Sequence, residues 1–302
     1  MAECVPMTEL LWTQAQDIGP SPRTSVAMTY HAASKRTLLF GGAVGGTANV
    51  GDTWQWDGAL WRQVADTGPM ARNAASFAYD DDRGRTVLFG GWATTVPGLN
   101  DTWEWDGDSW SQLADTGPSG RWFAAVTYDR GQKRTVLFGG FANGVQFNDT
   151  WAWDGMRWVQ VADTGPVARG GAAIAYDEVR GRVVLFGGSS STTLTNETWE
   201  WDGNSWTQVA DTGPSARWLA AAAYDSAQQQ TLLFGGNAFQ NRYFNDTWTW
   251  DGKLWTQIQD MGPTPRESVG LVYDTDRERA VLYGGSGATV GFLGDTWELV
   301  SQ

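Results

Sequence analysis

Short apolar runs and strict alternation organise this chain. The stretch "TVLF" at 135–138 is a brief apolar run bounded by turn residues, and in "DTWEWDG" at 101–107 the two tryptophans stand two apart, on one face of an extended chain. Both patterns predict short strands. An Asp-Gly pair follows at 57–58, 106–107, 154–155, 202–203 and 251–252, a dipeptide suited to a tight hairpin turn that needs positive φ. The next strand is of the type "RWVQVADTGP" at 157–166, and ahead of the whole set lies "PSGRWFAAVTY" at 118–128. Gly-Gly pairs at 41–42, 90–91, 139–140, 187–188, 235–236 and 284–285 recur every 48 or 49 residues. Six copies of a four-stranded unit therefore fill the chain.

A four-stranded unit rich in aromatic residues cannot bury both faces alone, and radial closure of several units leaves only short, protected edges. The prediction is all-β: six four-stranded antiparallel blades around a channel, one propeller domain over 1–302. The chain starts in a fourth strand, "LLWTQAQDIGP" with Trp12, and stops in a third, "GDTWELVSQ" with Trp297. Residues 10–16 are thus expected to complete the blade that contains 266–300, which removes an open sheet edge. Loss of 1–16 should damage stability severely.

These residues resemble the kelch-repeat family: Gly-Gly ending the second strand, an aromatic on the third, a tryptophan on the fourth, and Pro with Arg before the next first strand. The likeness spans nearly the whole chain. One departure is Trp56, Trp105, Trp153, Trp201 or Trp250 where kelch repeats usually carry Tyr, which suggests a divergent, bacterial-type branch. The family includes protein-binding scaffolds, carbohydrate-related enzymes and small-molecule enzymes, so the resemblance leaves function open. Galactose oxidase, a propeller with kelch-like repeats, needs Tyr, His and a modified Cys for its copper, and iron-dependent specifier proteins of this fold need two acids and a histidine. With one histidine, His31, and one cysteine, Cys4, this chain has material for neither site. No metal and no cofactor are expected.

A net charge of -13 disfavours phosphate backbones and anionic lipid, so neither nucleic acid nor membrane is an expected partner. No apolar run approaches the roughly 20 residues that span a bilayer, and no signal peptide is visible at "MAECVPMTELLW". Both a cytoplasmic and a processed, secreted form fit. A monomer is expected, with His31 in a surface turn and Cys4 an incidental thiol near the terminus.

Residues present in every copy serve blade geometry, so function should lie in what breaks the repeat. Arg23, Arg72, Arg121, Arg169, Arg217 and Arg266 recur with an acid before each Thr-Trp, and blade-to-blade ion pairing is the expected role. All but three of the 20 tryptophans fit the two repeated strands. The exceptions are Trp92, Trp122 and Trp218, and antiparallel order puts all three at one mouth of the channel. The same mouth collects Phe123, Phe141, Leu219, Phe239, Arg242 and Tyr243, together with Asn73, Asn237, Ser268 and the acid Glu267. Phe147, Phe244 and Leu99 read as loop anchors.

Apolar walls with a few polar groups are the composition of a small-molecule site. The expected function is binding of a small organic molecule or carbohydrate, with Trp92, Trp122 and Trp218 stacking and Arg242, Asn237 and Glu267 orienting the ligand. Two alternatives use the same mouth. One is a metal-independent isomerase, cyclase or glycan-acting enzyme with Glu267 as acid or base; the other is a scaffold that takes a peptide loop. A structural role also competes, in which the indoles plug a channel left wide by small residues such as Ala124, Ala172 and Ala220.

Overall fold

The computed structural model describes residues 9–46, 48–96, 98–190 and 193–301, so Cys4 lies outside the described residues. Among them there is no helix. Six four-stranded antiparallel sheets form the blades of a ring. In the third, the strands run outward from the axis as Ala125–Asp129, Arg134–Phe138, Thr150–Trp153 and Trp158–Ala162. The sixth blade combines Gly270–Asp274, Arg279–Tyr283 and Thr296–Ser301 with Leu10–Gln16, which pairs antiparallel with the last strand of the chain. The N-terminal strand thus closes the ring, as the phase of the repeat requires.

The fourth-strand tryptophans bind each blade to the one before it. Trp110 Nε1 donates to Thr53 Oγ1 at 2.9 Å, and Trp158, Trp206, Trp255, Trp12 and Trp61 make the same bond to Thr102, Thr150, Thr198, Thr247 and Thr296. Each indole also sits edge-on to an aromatic ring of the earlier blade, as Trp110 does to Phe40 at 5.4 Å and Trp61 to Tyr283 at 5.2 Å. The glycine of each "GP" turn makes room for the next indole: a Cβ on Gly68 would stand 2.6 Å from Trp110.

Two sequence expectations need correction. The recurrent arginines pair within their own blade: Arg23 reaches Asp52 at 2.7 Å and the Gly41 carbonyl at 3.1 Å, both in blade 1. It is the arginine's backbone carbonyl that crosses the seam, accepting from Gly42 N in the case of Arg72. Hydrogen bonds from Arg23 and Trp54 hold the Asp52 carboxyl below the usual range in spite of its burial. His31 is buried, 2% exposed, because it replaces the aspartate that follows Tyr in the other five copies. Its Nδ1 accepts from Ser34 and its ring lies 4.7 Å from Tyr79, and burial lowers its pKa. Asp-Gly does sit in a hairpin turn with its glycine at positive φ, 97° at Gly58, in a four-residue loop: Trp56 pairs with Trp61, and Asp57 Oδ1 accepts from Ala59 N and Leu60 N.

The six blades are of two side-chain kinds. In blades 2, 4 and 6 an arginine joins a turn aspartate to a third-strand glutamate: Arg83 with Asp80 and Glu104, Arg180 with Asp177 and Glu200, Arg277 with Asp274 and Glu298. Each glutamate then accepts from a tryptophan of the following blade, Trp153 at 3.1 Å, Trp250 at 3.1 Å and Trp56 at 3.3 Å. Blades 1, 3 and 5 carry Gln55, Ala152 and Thr249 instead of glutamate, and Trp105 and Trp201, which face the first two, keep a buried Nε1 with no partner.

Candidate functional site

Where each blade's chain turns into its innermost strand, one residue adopts a left-handed backbone. These are Ser25, Ala74, Phe123, Gly171, Leu219 and Ser268, with φ from 51° to 64°. Five of the six are not glycine, a conformation that costs on the order of 1 kcal/mol each. A closed ring of backbone hydrogen bonds offsets that cost. Ala74 N donates to the Ser25 carbonyl, Phe123 to Ala74, Gly171 to Phe123, Leu219 to Gly171, Ser268 to Leu219 and Ser25 to Ser268, at 2.8 to 3.0 Å. The ring surrounds an axial cavity of about 130 Å³, walled next by small or β-branched residues such as Ala75, Ala124 and Val269.

The rim above this throat is built by the preceding residues. Thr24, Asn73, Trp122, Gly170, Trp218 and Glu267 each bridge antiparallel to the loop after the second strand, at Ala43, Trp92, Phe141, Ser189, Asn237 and Ser286. Trp122 therefore sits with Phe141, Asn73 with Trp92, and Trp218 with Asn237, as neighbours on one rim.

Blade 4 shows how that rim is filled. A Cβ on Gly170 would run into the Phe141 ring, and one on Gly171 would come within 3.0 Å of Leu219 Cδ2 and 3.4 Å of Trp218. The two glycines vacate space that neighbouring blades occupy. Trp218 lies 6.4 Å from both Phe123 and Phe141, edge-on to the latter, so an aromatic cluster arches over blade 4 from both sides. Phe123 and Phe141 are the rings that meet Trp218 here.

The opposite sector is polar. Asn73 Nδ2 donates to Asn49 Oδ1 at 2.7 Å, and Thr24 Oγ1 lies 3.4 Å from Ser286 Oγ. On blade 5, Asn237 bridges Trp218 and is 7% exposed. Between the two sectors stands Glu267, whose Oε2 is buried without a hydrogen-bond partner; burial alone raises its pKa from 4.5 to about 7. Trp218 Nε1, on the adjacent blade, is also buried and unpartnered. Burial, then the Glu267 charge, raise the Tyr243 phenol, against a hydrogen bond from Asn237 that lowers it. Glu267, Tyr243, Asn237 and Trp218 thus form one group.

Other expected members stand apart. Phe239 is 50% exposed at the tip of the Asn237–Tyr243 hairpin, and Arg242 is exposed and turned back over Phe244 at 5.2 Å. Both lie in the turn of that short hairpin, where residues 239–242 are open to solvent. Phe147 and Phe244 anchor their loops beneath Arg121 and Arg217, at 3.9 and 3.8 Å. Sequence reasoning passed over Ser25, Ala74 and Gly171, which line the throat; their position one residue after the rim was the available signal.

The larger axial cavity, about 210 Å³, lies at the other end of the channel, among Met28, Phe77, Val126, Ile174 and Leu271. Its charged edge is internally paired, since Arg130 bridges Asp81 at 2.6 Å and Glu178. Among the described residues no group of three or more His, Cys, Asp or Glu could hold a metal ion.

No family model matches the chain, and no curated protein matches it. The fold is nonetheless widespread, with 590 solved chains matching. One of them, titled "Structure of YjhT", superimposes with a TM-score of 0.75 at 15% identity, over 94% of this chain and 98% of that one. The chain is a six-bladed β-propeller. An identity that low speaks for architecture, and any function has to come from the mouth itself.

Proposed function

We propose that the rim and throat bind a small organic molecule or a carbohydrate, within a divergent kelch-like branch of propellers. The observation that carries this reading is the occurrence of two buried, unmet polar atoms, Glu267 Oε2 and Trp218 Nε1, on adjacent blades at the rim where the repeat breaks down. A buried polar atom without a partner costs about 1–3 kcal/mol, which a bound ligand recovers. Aromatic walls from Trp218, Trp122 and Phe141 supply contact area, while Asn237 and Tyr243 supply direction. A thermal-shift screen of sugars and polar metabolites tests this. A ligand that raises the Tm of the wild type and loses its effect in Trp218→Ala and Trp122→Ala supports the reading. Ligands that stabilise both variants as well as the wild type defeat it.

Glu267 favours one second reading, that of a metal-independent acid–base enzyme. A carboxyl that titrates near 7 can both give and take a proton at neutral pH. Glu267→Gln is expected to abolish turnover of a bound substrate while leaving its binding intact, and unchanged turnover removes Glu267 from the chemistry.

A further inference from the structure

Charge at the mouth narrows the ligand. Two basic side chains come near the rim acid, and both are engaged elsewhere. Arg266, the preceding residue, spends its guanidinium on Asp295, the Gly284 carbonyl and Thr264. Arg242, on the blade 5 hairpin, turns to Phe244. On the blade 1 side, Arg23 is held by Asp52. Among the described residues, the Tyr243 phenol is the titratable group that responds to the Glu267 charge. The remaining rim and throat positions are Thr24, Asn73, Trp122, Gly170 and Trp218, over Ser25, Ala74, Phe123, Gly171, Leu219 and Ser268. None is basic. A carboxylate or phosphate ligand would meet an uncompensated acid at the rim itself, with the nearest unpaired cation, Arg242, exposed on its hairpin over Phe244, an arrangement that disfavours it.

Aromatic density points the same way. Tyr243 lies within electrostatic reach of Glu267, Trp218 holds the equivalent rim position on the adjacent blade, and Phe123 and Phe141 back the Trp218 ring. Ring faces attract a cation electrostatically, by about 0.5–1 kcal/mol when exposed and about 2 when desolvated, and an adjacent carboxylate adds a point charge. The same rings attract a neutral ligand only through contact area. Every scaffold acid with a buried arginine beside it is compensated, as Asp52 is by Arg23 and Asp101 by Arg72. Glu267 is the exception among the rim residues.

We propose that the ligand is an organic cation, whose ammonium group pairs with the Glu267 carboxylate beside the rings of Trp218 and Tyr243. This rests on the reading of the mouth as a small-molecule site. Binding of a cation favours the ionised carboxyl, so a proton leaves Glu267 for solvent as the ligand enters. Affinity for a permanently charged ligand therefore falls about tenfold per pH unit below the Glu267 pKa and levels off above it.

The test is isothermal titration of the full chain with choline, with tetramethylammonium, with 3,3-dimethylbutan-1-ol as the neutral shape-match of choline, and with a panel of neutral sugars, from pH 5.5 to 8.5. Choline is expected to bind at least about tenfold tighter than the neutral alcohol at pH 8, with affinity lost below neutrality. Glu267→Gln should erase both the preference and the pH dependence, while Trp218→Leu weakens the cations more than the alcohol. Circular dichroism at each pH confirms that the variants are folded. Equal affinity for choline and the alcohol, a flat pH profile, or a preference that survives Glu267→Gln overturns the proposal. Saturation by a neutral sugar without response to either cation overturns the charge assignment and leaves the mouth as a ligand site. Silence from every probe at millimolar concentration overturns both.

Discussion

Two kinds of seam join the six blades, and they differ in one residue type. At the seams 2–3, 4–5 and 6–1, a glutamate held by an arginine receives the indole N–H of the next blade; Glu104, Arg83 and Trp153 are one such set. At seams 1–2 and 3–4, Gln55 and Ala152 take the glutamate's place, and the facing Trp105 and Trp201 go unpartnered. At seam 5–6, blade 5 carries Thr249 in the glutamate's place and blade 6 carries Leu299 where the other blades have the third-strand indole. The backbone is six-fold, but the side-chain chemistry is three-fold. The difference teaches that packing, through the outer indole-to-threonine bonds common to all six seams, suffices to close the ring, and that the charged network is added at alternate seams.

The largest expected effect comes from seam 5–6, which lacks the network and depends on the N-terminal strand. Removing residues 1–16 takes away Trp12, its bond to Thr247 and its contact with Phe234, and exposes the edge of 296–301. The loss is comparable to the whole stability of an ordinary domain, about 5–15 kcal/mol. The truncated chain should lack a cooperative thermal transition, and a sharp transition within a few degrees of wild type would show that blade 6 stands without its outer strand.

Next in size is Glu104→Ala against Gln55→Ala. The first strands Arg83, which keeps only Asp80, and leaves Trp153 Nε1 unpartnered; with Arg83 30% exposed the cost is about 2 kcal/mol. The second should lie within about 0.5 kcal/mol of wild type. Equal losses in urea denaturation would dissolve the distinction between the seams.

Trp153→Phe and Trp105→Phe remove the same volume from equivalent buried positions, 0% exposed in both. Only the first removes a hydrogen bond. It should cost about 1 kcal/mol more than the second, and a reversed order would count against the network.

The smallest effect contrasts Glu104, which has an arginine, with Glu267, which has none. The Glu267 pKa is raised on folding, so the folded state holds its proton more tightly than the unfolded state. Stability is therefore full below about pH 4.5 and declines as pH rises through about 7. Solvent at the half-buried rim limits the decline to roughly 1 kcal/mol. Glu267→Gln should flatten the Tm–pH profile across that window, and an unchanged slope would assign the titration elsewhere.

Much of the fold was legible because its signals are local. Gly-Gly at the strand ends marks each blade, paired tryptophans mark the first five, and the phase of the first and last strands shows how the ring closes. The seam alternation was equally visible, as "TWEW" at 102–105 and 198–201 against "TWQW", "TWAW" and "TWTW". Its meaning was not, because nothing in one blade shows that its third-strand side chain touches the next blade's indole. His31 misled for a related reason: a histidine in a turn position reads as exposed until the neighbouring Tyr79 covers it. At the mouth, the off-pattern residues Trp122, Trp218 and Glu267 could be picked out, whereas Phe239 and Arg242 could not be told from them without the direction of their hairpin.

The sequence by itself determined the elements and their order, since strand period, turn glycines and repeat length depend on neighbours along the chain. Only the tertiary structure decided what the mouth contains. Gly170 and Gly171 are small in sequence, yet Phe141 from blade 3 and Trp218 and Leu219 from blade 5 take the space they leave. Glu267 is an ordinary acid in sequence, and it becomes a buried, unpartnered one because every nearby arginine folds toward something else. Contacts between residues about 48 positions apart are set by closure of the ring, and closure is a property of all six copies together.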